Sequence, residues 1–183
     1  MYNNISKDIK KGFIIINCIY ATCFLLGIFF SLYIGVKDGG EKIFNQQNIQ
    51  LLEKEYIFLE VLNNNLKLGI KILSGVIFGG ISSIGFICLN GIFFGIVCGV
   101  TIKTYSFLYL FKLVAFHGGL EIIAFNILAA ASIIPIIFIK NKILNKEYKI
   151  LENIKIYFKL GILGISLIII AAFIEGFIST IMI

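Results

Sequence analysis

Three ionisable side chains stand where apolar ones are expected: His117 and Glu121 open one long apolar segment, and Glu175 lies inside another. His117 and Glu121 are separated by four positions, so on a helix both point to one face. Joined by a carboxylate from a second helix, they form an open zinc site of three protein ligands with a vacant position for water. In that arrangement His117, Glu121 and Glu175 are the metal ligands, and Glu121 and Glu175 are also the catalytic carboxylates. The full metallopeptidase motif, two histidines on one helix, is absent. Two other chemistries use the same residues. In one, Lys103 neutralises Glu121 or Glu175 while His117 bonds a backbone carbonyl, making a structural ion pair. In the other, the set lines an ion or substrate pathway. An unpaired carboxylate in hydrocarbon costs about 2.5 to 3.5 kcal/mol on insertion scales, so every reading requires the three side chains to converge with partners.

The elements that must position them are membrane helices. Hydrophobic residues make up 59% of the 183, charged residues 14%, and the mean hydropathy is +1.00, values that no soluble domain shows. The apolar runs are continuous and glycine-studded rather than alternating, which excludes a membrane barrel and leaves helices. The expected fold is all-α: a polytopic membrane protein of about five transmembrane helices with an amphipathic surface helix. One membrane domain, residues 1–183, fills the chain. The spans are expected at residues 13–36, 66–89, 91–110, 118–139 and 160–183. Between the first two, the polar outer segment 37–65 carries Leu51, Leu52, Tyr56, Leu59 and Leu62 in the pattern of a helix lying on the membrane.

Asn90-Gly91 is a turn dipeptide between two apolar runs, which predicts a tight hairpin of spans two and three. Gly75 and Gly79, and Gly91, Gly95 and Gly99, are spaced by four and predict close contact within that hairpin. Asn63, Asn64 and Asn65 at the entry to the second span read as helix caps. The four cysteines, Cys18, Cys23, Cys88 and Cys98, show no metal-ligand spacing and read as small buried hydrophobes.

The net charge of +6 comes from lysine alone, since the chain has no arginine. This argues for lysines at membrane surfaces and against nucleic acid as a partner. Lys7, Lys10 and Lys11 at the start, and the six lysines of the loop from Lys140 to Lys159, put the N terminus in the cytoplasm. Five spans then leave the C terminus outside. His117 and Glu121 fall in the outer turns of the fourth span, and Glu175 falls about 12 Å below the outer end of the fifth, at the same depth.

Asn63-Asn64-Asn65 before a glycine-rich span, Asn90-Gly91, His117-Gly118-Gly119-Leu120-Glu121 and Ala171-Ala172-Phe173-Ile174-Glu175 together resemble the stage II sporulation protein M family over residues 60–183. The resemblance implies a five-span helical protein of the bacterial cell membrane. Family members bring cell-wall hydrolases together during engulfment, or accompany export ATPases and immunity proteins in clusters that produce circular bacteriocins. The His-Gly-x-x-Glu signature is similar to the wider branch, which includes the bacteriocin-associated members. Two classes follow. The first is a non-enzymatic membrane component that docks a membrane protein or export ATPase for maturation, export or immunity of a peptide. The second is an intramembrane zinc metallopeptidase or peptide-joining enzyme built on His117, Glu121 and Glu175, with a peptide as substrate. Assembly into a homo-oligomer is left open.

Overall fold

A computed structural model of the protein describes residues 2–35, 54–114, 117–144 and 150–177. Helix α1, Tyr2–Phe30, ends in a π-helical turn at Ser31–Gly35, where Ser31 Oγ donates back to the Ile28 carbonyl at 2.8 Å. Helix α2, Lys54–Ser74, tightens into a 3-10 turn at Gly75–Phe78. The chain then reverses at Gly79 and Gly80, whose φ angles of 61° and 87° favour glycine. Helix α3, Ile81–Thr104, is followed by the short α4, Phe107–Val114. Helix α5, Gly118–Ser132, leads into α6, Ile134–Ile143. Pro135 sits in the first turn of α6, where its missing N–H costs nothing. Helix α7, Ile150–Phe177, closes the described chain.

Among the described residues, four stretches are long and apolar enough to cross a membrane: Lys7–Tyr33, Ile81–Thr104, Gly118–Ile143 and Asn153–Phe177. The protein is thus a helical, multi-pass membrane protein. Helix α2 has the length but not the composition, because Glu55, Glu60, Lys67 and Lys71 interrupt it. Of the polar segment expected to lie on the surface, residues 54–65 form the first half of α2; Leu51 and Leu52 lie outside the described residues.

The hairpin expected at Asn90-Gly91 is not there. Both residues lie inside α3, and the reversal is made at Gly79-Gly80. The glycine stripe also has a different mate, because Gly91, Gly95 and Gly99 pack against α1 rather than against α2. A Cβ on Gly91 would approach Tyr20 O and Cys23, on Gly95 Phe24 O and Ile28 N, and on Gly99 Ser31 and Ile28 O. Residue numbers rise together along this contact, so α1 and α3 run parallel. Gly27 completes it from the other side against Ile92. Of the cysteines only Cys98 is buried, and Cys18 is exposed on α1.

Helix α7 runs antiparallel to both α2 and α5. Gly176 meets Phe58 near one end of α2 and Gly161 meets Leu73 near the other, while Gly164 fits against Leu128 and Ala124 of α5. The core at the centre is built from Ile16, Ile72, Ile87, Phe125, Leu128 and Ile168, contributed by α1, α2, α3, α5 and α7. Asp8, the Gly79-Gly80 turn and Asn141 gather at one end of the bundle, where Asn141 Nδ2 donates to Asp8 Oδ2 at 3.2 Å. His117 and Glu175 gather at the other.

Candidate functional site

The site is built by two close approaches of backbone. His117 caps α5, and the Glu121 N–H donates to the His117 carbonyl at 3.0 Å, so the first turn of α5 holds the pair on one face. Gly118 has room for no side chain, since a Cβ would press on Val114 and contact Phe94; Gly119 faces open space. On α7, Gly176 lies against Phe58, with an added Cβ 2.8 Å from its Cβ and 2.9 and 3.0 Å from its backbone Cα and N, and this contact fixes the level of the neighbouring Glu175. Ala171 and Ala172, both fully buried, let the last turns of α7 approach their neighbours.

His117 is buried and its Nε2 lies 3.8 Å from Glu175 Oε2. Glu121 Oε1 accepts a hydrogen bond from Asn65 Nδ2 of α2, and Glu121 and Glu175 are near enough to repel one another when both are charged. Helices α2, α5 and α7 thus meet through four polar side chains at one end of the bundle. Lys103, the expected cation, is exposed and takes no part. Its place beside the carboxylates is taken by the imidazole and by an amide. Asn65 was read as a cap because the asparagine run was placed before a helix; α2 begins at Lys54, so Asn65 lies inside it and points into the bundle.

More polar groups continue from the cluster toward the middle of the molecule. Asn126 Nδ2 donates to Asn17 Oδ1 at 2.9 Å, and Asn17 Nδ2 donates to the Phe13 carbonyl at 2.7 Å. The Tyr20 hydroxyl and Asn126 Oδ1 are buried and make no hydrogen bond among the described residues. Sequence reasoning passed over Asn17 and Asn126, although an amide inside an unbroken apolar run was signal enough.

Among the described residues no group of three or more His, Cys, Asp and Glu side chains is placed to hold a metal ion. Of the three expected ligands, Glu121 is turned to Asn65 and Glu175 to His117. Two cavities of about 440 and 390 Å³ lie farther along the bundle. One is lined by Val76, Pro135, Phe138 and Tyr157, the other by Phe13, Ile127, Ala130 and Leu163. Neither includes His117, Glu121 or Glu175.

Comparison with known proteins agrees with the resemblance drawn from the ordered motifs. The family model described as Stage II sporulation protein M matches residues 15–180. An uncharacterized protein of Methanocaldococcus jannaschii is 34% identical over 128 residues, which cover 68% of this chain and 72% of that protein. No solved structure matches.

Proposed function

The chain belongs to the stage II sporulation protein M family, and from that premise we propose that it is a non-enzymatic membrane component that works with partner proteins in the maturation, export or immunity of a peptide such as a circular bacteriocin. It sits in the bacterial cell membrane with its N terminus in the cytoplasm, α2 makes a fifth crossing, and the end bearing His117 and Glu175 faces outward. The His-Gly-x-x-Glu signature at His117–Glu121 supports the peptide-associated branch of the family. The observation that carries the non-enzymatic reading is the engagement of both carboxylates by the chain's own side chains, Glu121 by Asn65 and Glu175 by His117. A buried carboxylate that is already partnered ties helices together, and breaking the pair is what costs free energy. A hydrolytic or peptide-joining centre would have to turn one of those oxygens to water or substrate.

The test uses Glu121→Gln and Glu175→Gln in producer cells that lack the native chain. An amide keeps the shape and a hydrogen-bonding oxygen but cannot act as general base or strong metal ligand. Secreted peptide and producer resistance are expected to stay near wild type for both variants. Abolition of peptide formation, with the variants present at normal level and normal melting temperature, would establish the enzymatic alternative instead. Deletion of the chain without any effect on peptide yield or resistance would remove the peptide link.

A further inference from the structure

Helix α2 carries a second polar feature, on the face turned away from the cluster. Glu60, Asn64, Lys67, Lys71 and Ser74 follow at intervals of three and four, Asn63 stands beside Asn64, and all are exposed. They form one stripe about 21 Å long by the helix rise. The stripe lies alongside a helix apolar enough to span the membrane. Helix α2 runs beside α7 from Phe58 at Gly176 to Leu73 at Gly161, and α7 is apolar enough to cross from Asn153 to Phe177. Lys67 lies midway along Lys54–Phe78, and the neighbouring Gly69 meets Ile168 in the middle of α7. An exposed ammonium group thus stands level with the middle of α7, with a second one a turn away, and neither forms an ion pair among the described residues.

We propose that this face of α2 is a docking site for a transmembrane helix of a partner protein that carries a carboxylate at the depth of Lys67 and Lys71. The inference rests on the reading that the chain works with partners in the membrane, and it states what such a partner must offer. Lipid tails cannot solvate a lysine at mid-depth, and snorkelling serves Lys71 better than Lys67 because Lys71 is nearer the Gly79-Gly80 turn. A second copy of the chain does not complement the face: copies related by an axis along the membrane normal set Lys67 against Lys67 at one depth, Glu60 on the same stripe stands about 10 Å away along the helix, and Glu121 and Glu175 are engaged inside the bundle. A carboxylate on another helix supplies the missing charge, and Asn63 and Asn64 add amide hydrogen bonds that fix its register.

The experiment places the full-length purified chain, labelled with a fluorescent donor, in phosphatidylcholine vesicles at neutral pH with acceptor-labelled synthetic Leu-Ala transmembrane helices. One helix bears a central Glu, one a central Gln, and one is wholly apolar. Energy transfer is expected to report at least tenfold tighter binding of the Glu helix than of the other two. Lys67→Leu/Lys71→Leu is expected to abolish that preference while keeping or raising the melting temperature. Equal binding of the three helices overturns the proposal. So does a preserved Glu preference in a folded double variant, or transfer between copies of the chain that disappears with Lys67→Leu, which identifies a second copy as the occupant. Peptide yield is not part of this readout, so a failure of the peptide reading leaves the docking result standing, and a failure here leaves that reading to its own test.

Discussion

Glu121 and Asn65 sit on different helices and are joined side chain to side chain, and the same holds for Glu175 and His117. Removing one member leaves the other buried or half-buried without its partner. For a half-buried pair of this kind that loss is about 0.5 to 1.5 kcal/mol. His117→Ala is therefore expected to lower stability by an amount in that range, and His117→Gln, which retains an N–H donor, to recover part of it, as measured by thermal unfolding in detergent. Equal melting temperatures for wild type and His117→Ala would mean that the 3.8 Å approach contributes nothing. The facing of His117 and Glu121 was legible because a separation of four is a property of the helix itself. The partner of Glu121 was not. A run of three asparagines shows that polar groups are present but not where the helix around them starts, and starting α2 at Lys54 turns Asn65 from a cap into a half-buried donor. Lys103 was expected inward on charge alone, which carries no information about the face of α3 on which it stands.

Close contact at Gly91, Gly95 and Gly99 could be read from their spacing, but the identity of the opposing helix could not. A repeat of four defines a face on one helix and is silent about its mate, which proved to be α1. Gly95→Leu is expected to destabilise the protein by about 1 to 3 kcal/mol through overpacking, because the side chain would run into Phe24 O and Ile28 N. Gly85→Ala on the same helix, with nothing within 4 Å of its Cβ, is expected to be neutral. Thermal unfolding of the two variants side by side checks the contrast, and equal losses would refute the α1–α3 contact. Asn90-Gly91 misled because a turn dipeptide is read from soluble loops. Inside α3 the backbone groups are satisfied by the helix, and a turn there would forfeit the contact of Gly91 with Tyr20 and Cys23. Gly79-Gly80 took the turn instead. Gly80→Ala is expected to cost about 1 to 2 kcal/mol from its positive φ, with a further loss because the new methyl meets Ile133.

The whole molecule has two unlike ends, Asp8 with Asn141 at one and the four-residue polar tie at the other, and its helices run between them. Composition sufficed to place the chain in the membrane. The path of the chain between the ends was less accessible, since it depends on which glycine pair turns and on a polar helix, α2, that packs along α7 despite its lysines. If the N terminus is cytoplasmic, a cysteine-free background with Lys142→Cys should resist a membrane-impermeant thiol reagent in intact cells, and Lys112→Cys should react. Both positions are exposed and lie toward opposite ends, so the reverse pattern would invert the orientation. The tie between Asn65 and Glu121 is measured by a double-mutant cycle of Asn65→Ala and Glu121→Ala, followed by thermal unfolding in the presence of a metal chelator. A coupling of about 1 kcal/mol or more, with the chelator leaving wild type unchanged, is the predicted result. Losses that simply add, or a wild-type protein that falls to the level of the variants when chelator is present, would contradict it.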